Sequence, residues 1–177
     1  MKESNKNNRF NNIIKDLSSN DLDKVTAALK QMRKHGKKEA IFPLIELLAN
    51  TSEEETKKEV TNLLYDLKDQ TTVENIITAI EDEKFRNIKN ILISIFWQST
   101  LDGSQYISLF INEAIKSDYY TAIEVLTVIE NFDATFSESE IEDLKYDLDE
   151  AISMEENEKI NLLISIRNAL DALNIEY

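Results

Sequence analysis

Apolar residues recur at helical spacing along most of the chain. Residues 22, 25, 29 and 32 (Leu, Val, Leu, Met) follow one another at steps of three, four and three, which places them on one helix face. Similar stripes return at Val60–Leu64–Leu67, Ile88–Leu92–Ile95 and Ala122–Leu126–Ile129, and a less regular one begins at Ile160. The pattern predicts a series of amphipathic helices.

A second set of stripes lies between the first ones. It comprises Leu44–Ile45–Leu48, Ile76–Ile77–Ile80, Phe110–Ile111–Ala114 and a longer run from Ile141 to Ile152. The repeating unit is therefore a pair of helices, about 31–38 residues long. One pair cannot bury its own stripes, whereas several stacked pairs bury a continuous core.

The sequence predicts ten helices, the first of them half of a repeat. They lie near 9–18, 20–35, 39–49, 53–68, 72–82, 84–99, 104–117, 118–131, 138–153 and 155–173. Capping-box spacing, in which a hydroxyl and a Glu three positions later bond each other's backbone N–H, occurs at Ser52, Thr71, Ser137 and Ser153. Gly36 and Gly103 fall where helices must end, as a Gly in the C′ position does.

The first helix pair carries the most specific motif. Residues 21–50 read DLDKVTAALKQMRKHGKKEAIFPLIELLAN, with apolar residues at 25, 29 and 32, a Gly in the turn and Pro43 in the first turn of the second helix. This segment resembles a short HEAT repeat, and the later pairs keep its apolar spacing without its Pro. The resemblance implies an all-α protein, a right-handed α-solenoid of about four to five antiparallel helix pairs forming a HEAT-like superhelix. A plain helical bundle is the alternative.

Composition narrows the possible classes of protein. The 177 residues include two Gly, one Pro, one His and no Cys, which argues against a β-sandwich, a Gly-rich phosphate loop, a thiolate site and a di-iron bundle. We therefore expect no cofactor and no catalytic residue. Residues 1–8 are predicted to be a flexible polar N-terminus and 9–177 a single HEAT-like domain. With no apolar leader and no run long enough to span a membrane, the predicted location is cytoplasmic and no membrane partner is expected.

Charge is distributed unevenly. The net charge is −14, but residues 1–38 carry +6 and residues 39–177 carry −20. The acidic balance disfavours nucleic acid as a partner. The basic residues Lys30, Arg33, Lys34, Lys37 and Lys38, around His35, form either a solvated helix end or a patch that binds an anion, an acidic peptide or nucleic acid. If that partner is the acidic part of another copy, head-to-tail self-association follows.

Eleven carboxylates lie between Asp133 and Glu158, where Lys145 is the single Lys or Arg. Helical spacing puts Glu138, Glu142 and Asp149 near one face, and Asp143, Asp147 and Glu150 near another. Since no Gly-containing loop accompanies them, we expect no metal site. They form a solvated acidic face or a docking surface for a basic partner.

The second helices line the concave face in HEAT-like arrays, and the resemblance places candidate partner contacts there. These are Thr72, Asn75, Glu113, Glu142, Lys145 and Asp149. Tyr119 and Tyr120 are added because adjacent helical residues point about 100° apart, so one of them should be exposed as an interface anchor.

The most direct interpretation is a non-enzymatic scaffold that binds a protein or peptide, most simply a basic one. One alternative is an acidic inhibitor or immunity-type protein that neutralises a basic toxin or nuclease; its binding would depend steeply on salt. The other is a base-excision enzyme, since some DNA glycosylases are built from similar helical repeats. The charge of −20 over residues 39–177 argues against that enzyme.

Overall fold

The computed structural model describes residues 2–35 and 38–176, and within them the protein is all-α. In the described part, ten α-helices and four 3₁₀ turns together give 78% helix, and a two-stranded sheet accompanies them. The predicted fold class is therefore confirmed at the level of helix content. Backbone contacts group the residues into two compact units, Met1–Ile88 (unit 1) and Lys89–Tyr177 (unit 2).

Unit 1 contains five α-helices and three 3₁₀ turns. The helices are α1 (Lys2–Leu17), α2 (Leu22–His35), α3 (Ile41–Asn50), α4 (Glu54–Tyr65) and α5 (Val73–Glu81). The turns are Lys38–Ala40, Gln70–Thr72 and Glu83–Ile88. Each helix packs on the next or the next but one: α1 contacts α2 and α3, α2 contacts α4, and α3 contacts α4 and α5.

Unit 2 contains the remaining helices and the strands. Its elements are α6 (Lys89–Gln98), a 3₁₀ turn (Ser104–Tyr106), α7 (Ile107–Lys116), α8 (Tyr119–Glu130), β1 (Thr135–Ser137), α9 (Glu138–Met154), α10 (Lys159–Leu170) and β2 (Asn174–Glu176). Helix α8 contacts α6, α7 and α10, while α9 contacts α7 and α10. The predicted apolar stripes form the cores of these contacts: Leu92, Phe110, Ile129 and Leu163 are all buried.

Helix boundaries differ from the predicted ones mainly at the first helix. Helix α1 begins at Lys2 and not near residue 9, so the predicted start of the first helix is wrong, while the predicted flexibility of residues 1–8 stays a prediction. The apolar stripe of this helix starts at Phe10 and Ile13, which are buried. It therefore predicts where α1 begins to pack on the other helices, and not where the helix itself begins. Gly36 lies outside the described residues.

One of the four predicted caps is confirmed. Ser137 Oγ accepts the backbone N–H of Glu140 at 3.3 Å, at the start of α9. The predictions at Ser52 and Thr71 are wrong, because α4 and α5 begin after Glu53 and Thr72 and no side chain caps them. The prediction at Ser153 is also wrong. Ser153 lies inside α9, where its hydroxyl donates to the carbonyl of Glu150.

The prediction that Gly103 is the C′ residue of a helix is wrong. Gly103 precedes the 3₁₀ turn Ser104–Tyr106, and its φ of −106° lies outside the left-handed region that a C′ Gly adopts. A Cβ built on it would lie 2.6 Å from Cδ1 of Phe96 and 3.1 Å from Cε2 of Phe110. The position therefore requires Gly because the backbone passes against two packed rings, and not because of a special turn.

The sheet was not predicted from the sequence. Strands β1 and β2 pair in parallel, with Thr135 opposite Asn174 and Ser137 opposite Glu176. Phe136, at the centre of β1, is buried. In the described part of the chain, we find no helix with the length and apolar character that crossing a membrane requires.

Candidate partner-binding surface

Helix α9 has one buried and one exposed side. Ile141, Leu144 and Leu148 face the core of unit 2. On the opposite side, Tyr146 and Met154 are each 71% exposed. Large apolar side chains at such exposure on an otherwise acidic helix mark α9 as a candidate contact surface.

The acidic residues of α9 fall into two groups. Lys145 Nζ donates to Glu142 at 3.0 Å and to Asp171 at 2.6 Å. Arg167 donates to Asp149 at 3.0 Å and to Asp171 at 3.3 Å. The edge of α9 that meets α10 is therefore neutralised by cations of the same fold.

The pKa values follow this network. The hydrogen bond from Lys145 holds the pKa of Asp171 below its ordinary value of 3.8. Bonds to Asp171 first and to Glu142 second raise the pKa of Lys145 above 10.5. Both groups therefore stay charged over the whole physiological range.

On the other edge, Asp143, Asp147 and Glu150 are exposed, and no ion pair within the described ranges uses their carboxylates. Tyr146 is three positions after Asp143, directly before Asp147 and four positions before Glu150. On a helix this spacing brings the four side chains into one patch. We call Asp143, Tyr146, Asp147, Glu150 and Met154 the α9 surface.

Two of the other predicted partner contacts, Thr72 and Glu113, have little exposed surface with which to contact a partner. Thr72 is 2% exposed, and its hydroxyl donates to the carbonyl of Asp69 at 2.7 Å. Glu113 is 13% exposed and accepts from Lys89 Nζ at 2.8 Å and from Ser117 Oγ at 2.9 Å. Both side chains are engaged within the fold, so we leave them out of the proposed contact set. Asn75 is half-buried.

Tyr119 and Tyr120 open helix α8 and are 38% and 70% exposed. Their rings are nearly perpendicular, with centroids 6.2 Å apart. Exposure of at least one tyrosine, expected from helical geometry, is confirmed, while a role in binding stays a prediction.

The predicted basic patch is described in part. Lys30, Lys34 and Lys38 are exposed. Arg33 pairs with Asp66 at 2.9 Å and with Glu59 at 3.6 Å, which joins α2 to α4 and its following turn. Lys37 and the side chain of His35 lie outside the described residues.

Sequence reasoning missed Tyr146 and Met154. A signal was present, because Tyr146 stands on the polar face of a helix whose apolar stripe runs through Ile141, Leu144 and Leu148. An aromatic residue on the polar face of an amphipathic helix is expected to be exposed.

No group of three or more His, Cys, Asp or Glu side chains is arranged to hold a metal ion within residues 2–35 and 38–176. The carboxylates of α9 follow one another along a helix, so they do not converge on a point as ligands of a hard cation do.

Comparison with protein-family models, with curated proteins and with solved structures gave no match for this chain.

Proposed function

We propose that the protein is a non-enzymatic scaffold that binds a basic protein or peptide through the α9 surface. The observation that carries the proposal is Tyr146, 71% exposed, among three carboxylates that no cation of the described fold neutralises. The cytoplasm remains the predicted compartment.

Two physical effects favour a basic partner. Unpaired carboxylates on one edge of a helix attract Lys and Arg and speed the encounter. An exposed tyrosine supplies apolar area at low entropic cost and a ring face to which a cation is attracted. Met154, two turns beyond Asp147, extends the apolar part with a side chain that adapts to its neighbour.

A HEAT-like solenoid is the architecture that we propose for the scaffold. Alternate helices contact one another inside each unit, as α1, α3 and α5 do in unit 1 and α6, α8 and α10 do in unit 2. Stacking of like helices from successive pairs is the packing expected of a repeat array. In that arrangement α9 is a second helix of its pair, as the resemblance implies for binding residues.

The proposal is tested with a fluorescein-labelled basic peptide made of Lys, Leu and Ala, whose binding is followed by fluorescence anisotropy. Replacing Asp143→Asn, Asp147→Asn and Glu150→Gln together should weaken binding about tenfold at low salt, since each exposed charge contributes about 0.2–1 kcal/mol. Tyr146→Ala should weaken it further, and high salt should remove most of the difference.

A matched control changes the same charge elsewhere. Glu39, Glu74 and Glu81 are exposed and lie in unit 1, and their replacement by Gln should leave the affinity unchanged. Equal weakening by both triple variants would mean that the peptide responds to net charge alone. That result, or unchanged binding by the α9 variant, would overturn the proposal.

A further inference from the structure

Helix α2 carries an outward-facing stripe of residues that the proposed function does not use. The stripe comprises Asp23, Ala27, Lys30 and Lys34, which follow one another at steps of four, three and four and are all exposed. Such steps keep the side chains on one helix face, and the buried Val25 belongs to the opposite face. We call these four residues the α2 stripe.

The two lysines of the α2 stripe are available to a partner. Within residues 2–35 and 38–176, no hydrogen bond or ion pair uses the ammonium group of Lys30 or Lys34. Their neighbour Arg33, by contrast, is paired with Glu59 and Asp66. Two cations one helical turn apart therefore project from α2 without a carboxylate of the described fold to neutralise them.

The α9 surface repeats the spacing of the α2 stripe. Asp143, Asp147, Glu150 and Met154 also follow one another at steps of four, three and four, and all four are exposed. Helix faces with alternating steps of three and four can lie along each other, as the seams of a coiled coil do. The two faces therefore fit each other in length and period.

Charge selects the direction in which the two helices would run. In an antiparallel alignment of the stripes, Asp143 lies opposite Lys34 and Asp147 lies opposite Lys30. In a parallel alignment, Asp143 would lie opposite Asp23, and two carboxylates would repel each other. The antiparallel arrangement pairs the free charges of both helices and is therefore the favoured one.

The antiparallel arrangement also gives Tyr146 a contact. Tyr146 directly precedes Asp147, so its ring comes within reach of Lys30, whose methylene stem offers apolar surface and whose ammonium group is attracted to the ring face. Ala27 lies opposite Glu150, and its small side chain allows the helix axes to approach closely. The exposed tyrosine thus loses part of its contact with water on association.

We propose that a second copy of this chain is a partner of the α9 surface and docks there through its α2 stripe. The inference rests on the proposed function, because it names the basic protein that the α9 surface would bind. The contact joins different surfaces of the two copies, as heterologous contacts do.

Sedimentation equilibrium of the full chain at low salt tests the proposal. Exposed ion pairs are individually weak, so the dissociation constant should be on the order of 0.1–1 mM. Because the paired groups are exposed to solvent, high salt should weaken the association at least about threefold.

Two charge-reversed variants locate the contact. The first combines Lys30→Glu with Lys34→Glu, and the second combines Asp143→Lys with Asp147→Lys. Each alone should lower the association constant about tenfold or more, since like charges then face each other. The second variant also brings the net charge closer to zero, which by itself favours association, so a loss there reports on the surface and not on overall repulsion.

An equimolar mixture of the two variants should regain association. The first variant keeps an unchanged α9 surface, and the second keeps an unchanged α2 stripe, so these two can still meet. Recovery in the mixture also shows that both variants are folded, because misfolded chains would not restore each other's contact.

A matched control makes the same charge change away from the α2 stripe. Lys58 and Lys68 are exposed, lie in unit 1 and take part in no ion pair of the described residues. Replacing both with Glu adds the same negative charge as the first variant and should weaken association by no more than about twofold.

A chain that stays monomeric at low salt and millimolar concentration would overturn the proposal. Unchanged association in either reversed variant, equal weakening in the control, or no recovery in the mixture would do so as well. A monomeric chain that still binds the basic peptide through Asp143, Asp147 and Glu150 would remove the second copy and keep the proposed function. Self-association that depends on both stripes, beside a peptide that does not bind, would do the reverse.

Discussion

The two units share one apolar spacing but connect their helices by different polar contacts. In unit 1 the connecting ion pairs are exposed: Arg33 joins Asp66 and Glu59, and Lys84 joins Glu46. In unit 2 two lysines are buried, each at the first residue of a helix. Lys89 and Lys159 are both 7% exposed.

Both buried lysines reach the C-terminal end of α7. Lys89 reaches Glu113, which also accepts from the Ser117 hydroxyl. Lys159 donates to the carbonyls of Ile115 and Ser117, at 2.7 and 2.8 Å, and so satisfies acceptors at the end of α7. A positive charge at a helix C-terminus is also favoured by the helix dipole.

Two units with the same apolar pattern can therefore lose different amounts of stability when a polar side chain is substituted. An exposed ion pair is screened by water and contributes about 0–1 kcal/mol. A buried charge is expensive to leave without its partner. We therefore expect unit 1 to depend on its apolar core, and unit 2 to depend on a few polar contacts as well.

The largest effect is expected from Glu113→Ala. It leaves the Lys89 ammonium buried without its carboxylate, and the free energy of unfolding should fall by about 3–5 kcal/mol. Urea unfolding followed by Trp97 fluorescence measures the change, because Trp97 belongs to unit 2. The double variant Lys89→Met/Glu113→Leu should regain most of the loss, and a loss under 1 kcal/mol in the single variant would contradict the contrast between the units.

Asp118 gives a smaller effect that depends on pH. Its carboxylate caps α8 by accepting the backbone N–H of Thr121 at 2.8 Å, and hydrogen bonds from Thr121 hold its pKa below the ordinary 3.8. Because the folded pKa is the lower one, its contribution is fully present above about pH 4 and is lost as the pH falls through the folded value. Asp118→Ala should cost about 0.5–2 kcal/mol at neutral pH.

The variant Asp118→Asn separates the contribution of the carboxylate charge to stability from that of the capping hydrogen bond. The amide oxygen still accepts a hydrogen bond but does not titrate, so this variant should lose less stability than the unchanged protein between pH 4 and pH 2. Urea unfolding at several pH values measures the difference. Parallel curves for the two proteins would show that the Asp118 charge contributes nothing.

The smallest effect is expected from Asp66→Ala in unit 1. Arg33 stays exposed and keeps Glu59 nearby, so the free energy of unfolding should fall by no more than about 1 kcal/mol. Hydrogen exchange of the unit 1 amides measures it. Because Asp66 and Glu113 are both carboxylate partners of a cation, a loss at Asp66 equal to that at Glu113 would remove the distinction between the units.

Much of the helical order could be predicted because it follows from apolar periodicity. Val25, Leu29 and Met32 are buried as expected, whereas Leu22, predicted on the same stripe, is 50% exposed. Each predicted helix has an observed counterpart. Periodicity says nothing about polar ends, and for this reason the start of α1 was placed wrongly. The three wrong caps, at Ser52, Thr71 and Ser153, came from capping-box spacing, which is short enough to occur where no helix begins. Asp118, an unpredicted cap, shows that a carboxylate fills this place as well as a hydroxyl does.

The candidate surface was predicted only in part. Helical spacing separated Glu142 and Asp149 from Asp143, Asp147 and Glu150, but the sequence could not tell which group is paired. The answer depends on Arg167 and Asp171, which lie in and just after α10 and reach α9 through tertiary packing.

The strand pair has a consequence for the order of folding. Helix pairs form from neighbouring segments, whereas Thr135 and Asn174 are 39 positions apart and must close a loop that contains α9 and α10. Closing such a loop costs entropy that grows with the logarithm of its length. We therefore expect the six strand residues to pair late in folding, after α10 has packed on α8 and α9 has packed on α7 and α10.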